Sequence, residues 1–226
     1  MRRRLAATLT LAGLGPAALA GALALSGCVS IKRTPGASFF VLRALVEAKT
    51  PEGTVAGTIG LLPVRIPGAL DRPQLVSWTA PNELRLDELR RWAEPLDEGV
   101  ARTLAENLAA LLPQERILRA PWPAAVSPRC RVATEISVFG LQPDGEVRLT
   151  ASVLLLAPTE ERVLARRAFA ASRKPAAGDA SAGVDAMSAL VADLAQQIAA
   201  AIAGLPAPVP GSPHPQDTSE TPRRRG

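Results

Sequence analysis

The chain has a single histidine in 226 residues, no tyrosine, and an aromatic content of only 3%. That histidine, His214, lies in a C-terminal stretch dense in proline. Ser-His-Asp and Cys-His catalysis need an imidazole held beside a nucleophile in a folded site, so neither is expected. With only two cysteines, Cys28 and Cys130, there is no metal-ligand spacing either. Gly53, Gly57 and Gly60 lack the lysine and the helix start that a phosphate-cradling loop requires. Lysine itself is scarce: of 26 basic residues, only Lys32, Lys49 and Lys174 are lysines. Nucleic-acid binding would want basic residues massed on one face with aromatics among them. Here arginines alternate with acids from Glu83 to Glu98 and the three tryptophans are scattered, so no nucleic-acid partner is expected. The adjacent carboxylates Asp87 with Glu88, Asp97 with Glu98, and Glu160 with Glu161 do not supply an acid and a base, because sequence neighbours face different directions on a helix or strand. The expectation is a protein without enzyme activity, metal or diffusible cofactor.

What is present starts at the amino terminus. Arg2, Arg3 and Arg4 precede an apolar run from Leu5 to Leu25, and small residues follow, which are the physical parts of an export signal. A run of this length also suits a bilayer of about 30 Å, but Gly13, Gly15, Pro16 and Gly21 interrupt it and no basic cluster follows until Lys32 and Arg33. The closing Leu25-Ser26-Gly27-Cys28 resembles the bacterial lipoprotein box. The resemblance implies removal of residues 1–27, a diacylglycerol on the Cys28 sulfur and an N-acyl chain on the new terminus, the only attached groups expected. One acyl chain binds a membrane marginally, at about 0.8 kcal/mol per buried methylene, whereas two or three anchor it durably. Val29 stands where an inner-membrane retention signal carries aspartate, so the implied address is the periplasmic face of the outer membrane. Loss of residues 1–27 lowers the net charge from +5 to +2, since the segment holds three arginines and no acid. It also leaves Cys130 alone, so no internal disulfide is expected, and its strand-like surroundings predict a small buried hydrophobe.

Residues 28–36 read as the acylated tether, 37–203 as one domain and 204–226 as a proline-rich tail that cannot build a core and is expected to be disordered. Ser38 to Leu45 and Val55 to Ile66 read as strands, the second apolar enough to be buried on both faces. Gln74 to Trp78 and Glu83 to Leu86 suggest a hairpin across Pro81-Asn82. Leu96, Val100, Leu104, Leu108, Leu111 and Leu112 recur at helical spacing, with Pro95 in the first turn, Asp97 and Glu98 at the positive end of the dipole, and Pro113 as the stop. A short strand near Ile117 leads to the rigid loop Pro121-Trp122-Pro123. The period then becomes two: Val132, Thr134, Ile136 and Val138 run out, Pro143-Asp144-Gly145 turns, and Val147, Leu149, Ala151, Val153 and Leu155 return. A further strand spans Arg162 to Ala171, and Met187, Leu190, Val191, Leu194, Ile198 and Ile202 stripe a last helix. The economical fold class is α+β, an antiparallel sheet with the two main helices packed on one face.

One stretch carries a family resemblance. Gly60-Leu61-Leu62-Pro63-Val64-Arg65-Ile66-Pro67, Leu70-Asp71-Arg72-Pro73-Gln74-Leu75-Val76, Arg91-Trp92-Ala93-Glu94-Pro95-Leu96 and Leu104-Ala105-Glu106-Asn107-Leu108 resemble, in order and spacing, the ABC-type transport auxiliary lipoproteins of the PqiC type. The resemblance implies a lipoprotein at the outer-membrane bilayer that works with an inner-membrane MCE-domain protein and its transporter in moving lipid between membranes. It leaves a homo-oligomer open. The runner-up is a structural or assembly lipoprotein of the envelope that handles no lipid. Beyond Cys28 as the lipid attachment point, the candidate partner-contacting or structural residues are Asp71, Arg72, Pro73, Trp92 and Pro95. Each also has a plain structural reading: Asp71-Arg72-Pro73 as a turn, Trp92 as a core anchor at the helix entrance, and Arg91 with Glu94 as a surface ion pair.

Overall fold

The period-two stretch of the sequence becomes the centre of the sheet. The structure, a computed structural model, describes residues 36–47, 57–158 and 162–206. Cys28 with the expected signal and the tether up to residue 35, Val55 and Ala56, Glu160 with Glu161, and the tail from residue 207 with His214 lie outside the described residues. The described strands are β1 (Ser38–Phe40), β2 (Gly57–Leu61), β3 (Gln74–Ala80), β4 (Glu83–Trp92), β5 (Glu115–Arg119), β6 (Cys130–Leu141), β7 (Val147–Leu156) and β8 (Val163–Arg173). The described helices are α1 (Leu96–Leu111) and α2 (Ala180–Ala203).

The sheet is mixed, not antiparallel as its alternation suggested. The three hairpins β3–β4, β6–β7 and β7–β8 pair antiparallel, but β1 pairs β4, β2 pairs both β5 and β6, and β3 meets β6, all in parallel. Between β2 and β5 the chain makes a long crossover through α1, which lets it return to the sheet in the same direction. Alternation reveals which face of a strand is buried; it carries no information about a neighbour's direction.

Strand β6 organises the whole. One of its edges is covered by β7 from Arg131 to Leu141. The other is divided: β2 sets Ile59 to Leu61 against Cys130 to Val132, Arg65 bridges to Glu135, and β3 brings Ser77 to Leu141. The expected inward row holds at Val132, Thr134 and Ile136, then a bulge between Ile136 and Val138 shifts the phase. Phe139 therefore enters the core while Val138 is only half-buried. Beyond the bulge, Gly140 has φ 141°, and a side chain there would meet Val76 O at 3.1 Å and the Trp78 ring at 3.2 Å.

Helix α2 lies against β7 and β8, α1 lies against β5, and the two helices pack on each other, with Val100, Leu104, Leu108, Leu190, Leu194 and Ile198 all essentially buried. Asp179 caps α2 by accepting from Ala182 N–H at 2.8 Å. Pro95 precedes α1 with an extended ψ of 137°, and Asp97 and Glu98 occupy its first turn. By length and composition α2 is apolar enough to cross a membrane, but 67% of its apolar window is buried within the domain. It is a core helix whose all-round apolarity reflects its central position.

Candidate functional site

The residues singled out in the sequence divide into two sets. Trp92 ends β4, is 7% exposed, and donates its backbone N–H to Pro73 O at 2.8 Å while standing opposite Phe40 in the ladder. Pro73, Trp92 and, three residues later, Pro95 thus form one structural corner at the entrance to α1. Asp71 and Arg72 are brought to the surface instead. They follow a tight turn in which Asp71 N–H donates to Pro67 O and Arg72 N–H to Leu70 O, while Leu70, 1% exposed, is driven into the core. Cys28 lies outside the described residues.

The expected pairing of Arg91 with Glu94 does not form. Arg91 reaches Glu88 at 3.5 Å on the exposed strand, and Glu94 turns to Arg102 of α1 at 2.6 Å. Arg102 also contacts Glu106 at 3.2 Å and donates to Leu42 O at 2.8 Å. The hydrogen bond to Glu94, above all, raises the guanidinium pKa, while burial works against it. The sequence reading missed this hub; its only local signal was the i, i+4 spacing of Arg102 and Glu106.

A second missed feature is the path of residues 41–46. The expected strand from Ser38 ends at Phe40, and the chain then crosses the helices as a strap. Its backbone groups are satisfied by side chains: Arg43 N–H donates to Ser188 Oγ at 3.2 Å, and Leu45 and Val46 N–H both donate to Asn107 Oδ1 at 3.0 Å. Fully buried polar side chains on the two helices thus replace a neighbouring strand. Arg43 adds an exposed ion pair to Asp185 at 2.6 Å. Along the strap Leu42 is buried, whereas Phe39, Val41 and Leu45 remain 64%, 47% and 44% exposed.

On the sheet face turned away from the helices lies an open groove of about 540 Å³, lined by Leu62, Arg65, Arg131, Glu135 and Leu154 among others. A buried ion pair, Glu115 with Arg129 at 2.8 Å, closes the far end of β2. Next to it Cys130 is wholly buried, and burial pushes its thiol pKa up to about 11. Among the described residues no three His, Cys, Asp or Glu side chains converge to hold a metal. Among the acids flagged in the sequence, Asp87 pairs with Arg90, Glu88 with Arg91 and Glu98 with Arg119.

What the fold defines is an α+β domain, a mixed sheet with two helices on one face, and two solved structures share it. One, an uncharacterised protein, is 20% identical, with a TM-score of 0.62 over 74% of this chain and 99% of that one. The other, XCC0632 from Xanthomonas campestris, of the DUF330 family, is 15% identical, with a TM-score of 0.59 over 72% of this chain and 92% of its own. At these identities the likeness is one of fold alone. No curated protein matches the sequence. The chain itself belongs to the family described as ABC-type transport auxiliary lipoprotein component, which it matches over residues 40–199.

Proposed function

We propose that the chain is an outer-membrane lipoprotein, anchored through acylated Cys28, that serves as a non-enzymatic auxiliary component of an MCE and ABC-type system moving lipid between the two membranes. The observation that carries this reading is the family match over residues 40–199, which spans the sheet and both helices. The site chemistry is in keeping with it. Three of the acids singled out in the sequence, Asp87, Glu88 and Glu98, lie in exposed pairs with arginine, an arrangement suited to recognition at a surface. Function on this reading is positional: acyl chains concentrate the domain at the bilayer, and a protein face docks the inner-membrane partner. Asp71 and Arg72, exposed beside the Trp92 corner, are the proposed contacts on that face.

In-cell photo-crosslinking from positions 71 and 72 of the acylated protein tests the reading. Recovery of an MCE-domain protein is the expected result. Recovery of a wall-anchoring or secretion complex, with no MCE protein from any exposed position of the domain, would replace it with the structural-lipoprotein alternative.

A further inference from the structure

The most exposed large apolar side chain described is Phe39, and it does not stand alone. From Phe39 to Glu47 exposure alternates: odd-numbered residues face solvent, while Phe40, Leu42, Ala44 and Val46 are at least half-buried. Phe39, Val41 and Leu45 therefore form an outward apolar row, broken by Arg43 and ended by Glu47. The row is rigidly presented. Arg102 holds Leu42 O, Ser188 holds Arg43 N–H, and Asn107 holds the next two amides used, so the backbone beneath these side chains is tied to both helices. Nothing in the core requires apolar residues at three outward positions of such a strap.

The place of the row in the chain points to what covers it. Phe39 is eleven residues from Cys28, a span of at most roughly 40 Å when fully extended and much less on average. The intervening segment, Val29-Ser30-Ile31-Lys32-Arg33-Thr34-Pro35-Gly36, carries two basic residues and no acid. A bilayer surface with anionic headgroups matches a short basic tether followed at once by a row of exposed apolar side chains. We propose that Phe39, Val41 and Leu45 insert into the interfacial region of the lipid bilayer, so that the strap, and not the tether alone, fixes which way the domain faces. This rests on acylation of Cys28. It deepens that reading by adding to the acyl anchor a second contact with the bilayer, made by the strap itself.

The test uses the full acylated protein in vesicles of phosphatidylethanolamine and phosphatidylglycerol. An environment-sensitive fluorophore is attached at Val41→Cys, Leu45→Cys or, as the control on β8, Ala168→Cys, each in a Cys130→Ala background. Far-UV circular dichroism and the melting temperature confirm that each variant folds. The expected result is a blue-shifted emission at positions 41 and 45 and several-fold stronger quenching there by spin-labelled lipid than at position 168. Equal, weak quenching at all three positions, with the protein still floating with the vesicles, overturns the inserted row while leaving the anchor intact. A protein that does not float, with an unmodified Cys28 by mass spectrometry, overturns the anchor and the row with it. Shielding at 41 and 45 that rises with protein concentration in lipid-free detergent assigns the row to a second copy of the chain, and also overturns the proposal.

Discussion

Arg102 and Glu94 meet at 2.6 Å across the entrance to α1, and the same guanidinium reaches Glu106 and the carbonyl of Leu42. One side chain thereby ties the end of the β4 corner, the first helix and the strap into a single unit. Both partners of the pair are about two-thirds shielded, so the geometry is screened less than an ordinary surface pair. Arg102→Ala is expected to cost about 2 kcal/mol, the range of hydrogen bonds to charged groups. Arg102→Lys should recover only part of it, because an ammonium lacks the planar fork that serves three acceptors. Urea denaturation of the two variants measures both, and equal stability of Arg102→Ala with the parent would show the hub to be inert.

Gly60 lies under the Trp122 ring, and a Cβ there would sit 2.7 Å from the ring and 2.9 Å from Pro128. Neither neighbour is the end of a flexible chain. Gly60→Ala is therefore expected to destabilise by about 1–3 kcal/mol. In a double-mutant cycle with Trp122→Ala, the cost of Gly60→Ala should largely vanish, since the ring it strikes is gone. Additive losses would place the effect elsewhere.

Cys130 makes a pH prediction. Its thiol pKa is raised to about 11 in the fold by burial, from an ordinary value of 9.0. Below pH 9 the thiol is protonated in both states and contributes no pH dependence. Between about pH 9 and 11 the unfolded chain releases the proton and the native one keeps it, so stability falls as pH rises, by at most about 1.4 kcal/mol per pH unit. Few other groups obscure this window, because the chain has no tyrosine and three lysines. Chemical denaturation at pH 8, 9 and 10 should show the decline, and Cys130→Ala should flatten it. A thiol reagent should label the native protein only at the rate of unfolding; rapid labelling would contradict the burial.

Glu115 and Arg129 form the most shielded ion pair described, with side chains 8% and 17% exposed. Removing one partner strands a charge, so Glu115→Ala is expected to cost on the order of 3 kcal/mol. The double variant Glu115→Leu with Arg129→Met should be markedly less destabilised than the two single changes added together. Thermal melts of the three proteins decide it, and simple additivity would mean that the charges do not depend on each other.

The parts of the fold legible in the sequence are those with a strong period. The β6–β7 hairpin, α1 and α2 fall where alternation and helical spacing place them, because burial of one face is written directly into residue order. The strap is not legible in this way. Residues 38–45 are rich in branched and aromatic side chains as a strand is, and nothing local shows that beyond Phe40 the partners are Asn107 and Ser188, more than sixty positions away. The candidate site is partly legible: Trp92 reads as a core anchor, whereas Arg91 and Glu94 find other partners, because Arg91 lies on β4 beside Glu88 and Glu94 lies past the strand's end, turned to Arg102 of α1.

By itself the sequence determined the family, the α+β class and the positions of the core, because these follow from composition, period and motif order along one dimension. Only the tertiary structure decided the direction of the sheet neighbours, the partners of each charge and the outward face of the strap. Those depend on which distant segments meet, and hydrogen-bonding groups accept whatever partner the packing of the core brings within reach.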